Sequence, residues 1–205
     1  MPQIIFGTSN PKKIEDLKVI SNDTVEVLSL ADIDVAMPDV VENGDTFESN
    51  ARKKYDTLRP LVPDEYILAT EDSGLEINAL GNEPGVYSRR WNPERSEMTD
   101  EALIDKTIHE MQGKVDRTAR FVSAFAFGGA GLPAQELRGE LMGEILEQAD
   151  EANRIPGMPY RAVFYVSAAK MMMQEMIDTP LEKRLPHKTH REVAWLKLLE
   201  VIARK

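Results

Sequence analysis

Two adjacent acids, Glu71 and Asp72, are followed by Ser73-Gly74 and stand between two runs with strand character. Tyr66 to Thr70 is short, apolar and partly β-branched, and Leu75-Glu76-Ile77-Asn78-Ala79 alternates apolar with polar, the period of a half-buried strand. Ser73-Gly74 reads as the break between them. Strand-borne backbone then holds both carboxylates at a turn, where neighbouring side chains can reach a shared metal ion or water. Glu-Asp-Ser-Gly is also ordinary polar turn chemistry, so the reading depends on what else the chain brings.

Three further stretches could bring it. Gly7-Thr8-Ser9-Asn10-Pro11-Lys12-Lys13 follows an apolar strand, Gln3 to Phe6, and enters a helix spaced by Ile14, Leu17 and Ile20. Asn10 suits the N-cap and Pro11 the first helical turn. Backbone N–H groups at such a start favour an anion, and lysines there oppose the helix dipole unless an anion is present. A plain strand-to-helix connection with solvated lysines is the alternative. The spacing is neither a P-loop nor a dinucleotide fingerprint. Glu42 lies just ahead of a second helix, which opens at Asp45 with Glu48 in the capping-box relation and carries Phe47, Ala51, Lys54, Tyr55 and Leu58 at helical spacing. Arg89-Arg90-Trp91 could clamp phosphate or cover an aromatic face, and His190-Arg191 open the last helix, which runs to about Ala203.

The elements that must position these groups alternate along the whole chain. Val25 to Leu28 reads as a second strand, Thr99 caps a helix to about Met111, and Thr118 to Phe127 is the clearest strand. Gln135 to Leu146 reads as its hairpin partner, and Val163 to Val166 as another buried strand. Met171-Met172-Met173 and Met176 read most simply as core filling or a flexible lid, with interface use second. The pattern implies one compact α/β unit with a central sheet.

The 205 residues, 42% of them hydrophobic, suffice for one large domain or two lobes. With no cysteine, disulfides and thiolate chemistry are excluded. No apolar run approaches a bilayer span and the start lacks a signal-peptide pattern, so the expected location is the cytoplasm and no membrane partner is expected. A net charge of -10 argues against a nucleic-acid polymer as partner. A small polyanion would need clustered lysines or a divalent cation.

Taken in order, Thr8-Ser9-Asn10-x-x-Lys13, Glu42-x-Gly44-x-Thr46-Phe47-x-x-Asn50-Ala51, Glu71-Asp72-Ser73-Gly74-Leu75, Pro84-Gly85-Val86-Tyr87-Ser88, Arg117-Thr118-Ala119-Arg120-Phe121 and Thr189-His190-Arg191 resemble the inosine triphosphatase family, pyrophosphatases of non-standard purine nucleoside triphosphates. The resemblance spans nearly the whole chain, 1–205 as one domain. It implies a two-lobed α/β fold with a long central mixed β-sheet flanked by helices, a nucleotide cleft between lobes, and a homodimer. It also implies Mg²⁺-dependent cleavage of a nucleoside triphosphate to the monophosphate and pyrophosphate, which cleanses the nucleotide pool. Carried over by position, Glu42 and Asp72 bind the metal, Asp72 accepts the proton of the attacking water, and Glu71 supports them. Thr8, Ser9, Asn10, Lys13, Lys54 and Ser73 hold the triphosphate, with Arg89 as a further cationic contact.

The chain departs from the family on the side of the base. Where the family has Gly-Phe-Gly-Tyr-Asp-Pro, this chain has Gly157-Met158-Pro159-Tyr160-Arg161-Ala162. The stacking Phe and base-reading Asp are absent, while Tyr160, Arg161, His190 and Arg191 are the nucleotide-binding candidates of this half. The family's lysine ahead of Ser-His-Arg is replaced by Leu185, with Lys183 and Lys188 nearby. The expectation is retained chemistry with altered base choice. The alternative is a nucleotide-binding sensor or scaffold that has lost turnover.

Overall fold

In the computed structural model, residues 1–204 are described. The strands are β1 (Gln3–Gly7), β2 (Glu26–Ser29), β3 (Ile67–Ile77), β4 (Glu83–Pro84), β5 (Thr118–Gly129), β6 (Leu132–Ile145), β7 (Phe164–Val166) and β8 (Met171–Met172). The helices are α1 (Pro11–Ser21), α2 (Phe47–Leu58), α3 (Asp100–Glu110), α4 (Met173–Asp178), α5 (Leu181–Arg184) and α6 (His190–Ala203). The strands form one open mixed sheet in the order β2-β1-β3-β5-β6-β7-β8, with β4 on β3. β1 is parallel to both β2 and β3, while β4 on β3, β7 on β6 and β8 on β7 are antiparallel.

The chain divides into two compact units. The first takes Met1–Ser73, Ser123–Gly139 and the chain from Arg191 onward; the second takes Gly74–Val122 and Glu140–His190. Each has its own apolar core. In the first, Ile4 and Phe6 of β1, Leu17 of α1, Phe125 and Phe127 of β5 and Trp195 of α6 are buried together. Phe6 lies against both Phe125, with ring centroids at 5.9 Å, and Trp195 at 6.3 Å. In the second, Leu75, Leu103, Phe121, Ile145, Phe164 and Met176 belong to one cluster. Met173 and Met176 are buried in α4, so the methionine run is core filling.

Two local expectations are corrected. Ser73-Gly74 does not break the chain: β3 runs uninterrupted from Ile67 to Ile77. β3 pairs with β1 up to Thr70 and with β4 from Glu76, and with β5 as its further neighbour the sheet carries the strand through the dipeptide despite its turn propensity. Nor does Asp45 cap α2. Thr46 does, in extended conformation (φ -133°, ψ 156°), and its hydroxyl accepts from the Ser49 N–H. Asn10 caps α1 and Thr99 caps α3 as the sequence predicts.

Candidate active site

β1 lies between β2 and β3, and all three are parallel. The chain leaves β1 toward one side for β2 and returns on the other side as β3. In parallel sheets such a reversal opens a crevice at the carboxyl ends of the strands, the habitual ligand position of open α/β folds. Gly7 ends β1 opposite Thr70, so the Thr8 to Asn10 loop opens at the level of Glu71. The loop is shaped by its own side chains: Thr8 Oγ1 accepts from the Asn10 N–H at 3.2 Å and Asn10 Oδ1 from the Lys12 N–H at 3.0 Å. Ser9 between them is exposed.

Continuity of β3 sends successive side chains to opposite faces, and Glu71 and Asp72 accordingly meet different partners. On the Asp72 side stands α2. Lys54 Nζ is 2.8 Å from Glu42 Oε2, 3.8 Å from Asp72 Oδ1, and donates to the Glu71 carbonyl at 3.0 Å. Acids from separate parts of the chain thus meet at one ammonium. Asn50, fully buried, ties the same pieces together: its Oδ1 accepts from Gly44 N–H at 2.8 Å and its Nδ2 donates to Asp72 Oδ2 at 3.0 Å. A Cβ on Gly44 would lie 2.6 Å from Ser49 Oγ, so the absence of a side chain lets the Glu42 loop sit on the start of α2. Burial holds the Asp72 carboxyl above the ordinary carboxylate range; Lys54 and the Asn50 hydrogen bond work against this, and Glu42 adds to it.

On the Glu71 side, a wholly buried carboxylate takes Lys13 Nζ at 3.1 Å, Arg191 Nε at 3.0 Å and the Ser123 hydroxyl. Lys13 also donates to Ser73 Oγ at 3.1 Å. Arg191 continues to Asp16 Oδ2 at 3.0 Å. Burial pulls the Lys13 ammonium below the ordinary lysine value, and the Glu71 charge opposes that pull. For Arg191, burial acts downward but Glu71 and Asp16 outweigh it, and the guanidinium is held above its ordinary value.

Ten of the residues expected at a nucleotide site therefore fall in the first unit: Thr8, Ser9, Asn10, Lys13, Glu42, Lys54, Glu71, Asp72, Ser73 and Arg191. Arg89, Tyr160, Arg161 and His190 belong to the second unit. There Arg89 pairs with Asp100 and lies 3.6 Å from Glu97. The buried Tyr160 hydroxyl donates to the Ser88 carbonyl, and burial raises its pKa. Arg161 is 2% exposed and donates to Gln174 Oε1 at 2.8 Å; Gln174 in turn donates to Asp178. His190 stacks on Phe121 with ring centroids 5.0 Å apart.

Sequence reasoning placed Asn50 in a motif but gave it no role, and it passed over Asp16 and Ser123. Asn50 was findable: it falls on the apolar stripe of α2 with Phe47, Ala51, Lys54 and Leu58, all buried, and a polar side chain there must find partners. Asp16 and Ser123 carry no local signal, since their partners lie far off in sequence.

Among the described residues no three His, Cys, Asp or Glu side chains converge as a ready-made metal cage. Glu42 and Asp72 offer two carboxylates beside one lysine. That donor set suits Mg²⁺, which takes one or two carboxylates and completes its shell with water and substrate phosphate oxygens.

Known proteins share this arrangement of chain. The model of the Ham1 family matches residues 4–201. A dITP/XTP pyrophosphatase of Shouchella clausii (strain KSM-K16) is 33% identical over 202 residues, covering 98% of both chains. One of Christiangramia forsetii (strain DSM 17595 / CGMCC 1.15422 / KT0803) is 34% identical over 203 residues, 98% of this chain and 100% of its own. The solved structure of the Staphylococcus aureus Ham1 protein superposes with a TM-score of 0.74 at 30% identity, covering 98% of each chain. With a match from the first strand to the last helix, this chain belongs to the Ham1 family.

Proposed function

We propose that this protein is a nucleoside triphosphate pyrophosphatase that hydrolyses a non-standard NTP or dNTP to the monophosphate and pyrophosphate, with Mg²⁺, in nucleotide-pool sanitation. The observation that carries the reading is the meeting of Glu42 and Asp72 at Lys54, with Lys13 of α1 held by Glu71, the residue next to Asp72 on β3. Relatives named dITP/XTP pyrophosphatase over nearly the full length support it. Glu42 and Asp72 would hold the metal, which when bound neutralises phosphate charge.

The residues of this chain supply the rest. Asp72 takes the proton of the water that attacks the α-phosphorus, while the bond from that phosphorus to the pyrophosphate oxygen breaks. An ionised carboxylate held in place by Asn50 and Lys54 is positioned to accept that proton. Lys13, Lys54, Ser73 and the Thr8 to Asn10 loop hold the polyanion, with Glu71 as a positioning residue for Lys13. Phosphoryl transfer depends chiefly on such charge neutralisation and alignment. We place the enzyme in the cytoplasm as a homodimer, by resemblance to its family.

Base choice is the part of the reading most specific to this chain. Arg161 stands where the resemblance expects an acid, and its guanidinium is engaged inward by Gln174. The exchange therefore removes an acceptor from the 157–162 loop more than it presents donors to a base, and selectivity should be relaxed. A panel of ITP, XTP, dUTP and the four ordinary triphosphates, scored by pyrophosphate release with and without Mg²⁺, tests both levels. The expected result is Mg²⁺-dependent release with a shallow gradient between bases. Steep preference for ITP and XTP would remove the relaxed-selectivity reading, and nucleotide binding without any turnover would replace the enzyme by a sensor.

A further inference from the structure

Glu71, Lys13, Arg191 and Asp16 form a charge chain that the hydrolysis itself does not call for. The order is Lys13⁺, Glu71⁻, Arg191⁺, Asp16⁻, with contacts of 3.1, 3.0 and 3.0 Å. Side-chain exposures are 17% for Lys13, 0% for Glu71, 5% for Arg191 and 8% for Asp16. The chain begins and ends on α1, three residues apart, and passes through β3 and α6. Buried charges interact strongly because little water screens them, so each member sets how much of its neighbour's charge is left over. Glu71 shared between two cations grips each less tightly than it would grip one. Asp16, by drawing on Arg191, returns part of Glu71 to Lys13.

We propose that the Asp16–Arg191 pair is a positioning device for Lys13, acting through Glu71: it divides the Glu71 charge so that the Lys13 ammonium is held in place yet keeps capacity for an anion. The proposal rests on the reading that Lys13 binds the triphosphate. Its sign is specific. Loss of Arg191 leaves Glu71 to pin Lys13 and weakens anion binding, whereas loss of the Asp16 charge turns Arg191 more fully onto Glu71, loosens Lys13 and strengthens it. A role confined to holding the fold would lower activity in both variants alike.

The test uses the full chain and inorganic tripolyphosphate as probe, with affinity read by calorimetry and steady-state kinetics on the best triphosphate alongside. Arg191→Met should weaken tripolyphosphate about tenfold and raise KM with a smaller change in kcat, and Arg191→Lys should recover part of the loss. Asp16→Asn should tighten the probe about threefold. Glu15→Gln, which removes an exposed charge on the same helix that pairs with Lys12, should leave it within about twofold. Adding Glu71→Gln to Arg191→Met should restore affinity relative to Arg191→Met alone, a non-additivity expected of groups in contact. Additive effects, equal losses in the Asp16 and Arg191 variants, or an equal response to Glu15→Gln would overturn the proposal. If Arg191→Met does not fold, the Asp16→Asn sign and the Arg191→Lys value still decide it. Lys13→Met separates the two levels: if it leaves tripolyphosphate affinity unchanged, the phosphate role of Lys13 fails; if it abolishes affinity while the Arg191 variants do nothing, only the positioning device fails.

Discussion

Asp72 carries opposed demands on one carboxyl group. It is buried against Asn50 and Lys54, and burial holds its pKa above the ordinary value of 3.8. A folded-state pKa above the unfolded one means that the fold favours the protonated form. That contribution is fully present below the unfolded value and is lost as pH rises through the folded one. Ionising Asp72 therefore costs stability, and the proposed role as base asks for that ionised form. Asp72→Asn should abolish most turnover, by about 10²- to 10⁴-fold. In chelator-treated protein it should raise the thermal midpoint at pH 7, with the gain gone near pH ~3.5, where the native carboxyl is also protonated. An equal gain at both pH values would show that charge is not its source. Asn50→Ala should cost about 1–3 kcal/mol in urea unfolding, since it strips both Gly44 N–H and Asp72 of a buried partner.

α2 is the element that gathers one side of the site. Its buried stripe of Phe47, Asn50, Ala51, Lys54, Tyr55 and Leu58 packs inward, so Asn50 and Lys54 are aimed by the same 3.6-residue period that buries the apolar groups. The helix is oriented at its start by Thr46, whose hydroxyl accepts from Ser49 N–H at 3.1 Å. Thr46→Ala should cost about 1 kcal/mol of stability, while Asp45→Ala, one residue earlier and outside the cap, should stay within about 0.5 kcal/mol. Urea denaturation of the two variants separates them, and a larger loss at Asp45 would return the cap to the position that sequence spacing suggests. β3 makes the complementary contribution. An unbroken strand divides Glu71 from Asp72 onto two faces, so one acid faces the metal-binding candidates and the other a buried lysine and arginine.

On the scale of the whole molecule, each compact unit has a core made from its own residues. Trp195 is fully buried in the first, against Phe6 and Phe125, and its indole N–H donates to Ser21 Oγ at 2.9 Å. Trp195→Ala should cost about 3–5 kcal/mol. Because the lost contacts belong to one core, amide exchange should accelerate first in β1, α1 and α6, with α3 and β7 least changed. Uniform acceleration across the chain would contradict a core so divided.

Composition, the alternation of strand and helix periods, the caps at Asn10 and Thr99, and the ordered motifs from Thr8 to Arg191 were enough to specify an α/β chain of this family. Each is written in residues close together, where period and capping chemistry act. The direction of the acids was not legible in that way. Glu-Asp-Ser-Gly has the composition of a turn, yet it lies inside β3, between the residues that pair with β1 and those that pair with β4, in a strand whose further neighbour is β5. The engagement of Arg161 by Gln174 and of Arg191 by Asp16 and Glu71 was equally hidden. Local propensity says what a residue can do with its neighbours in the chain. Which charge neutralises which, across separations such as 71 to 191, is decided by packing, because a buried ion must be met by whatever partner the folded chain brings to it.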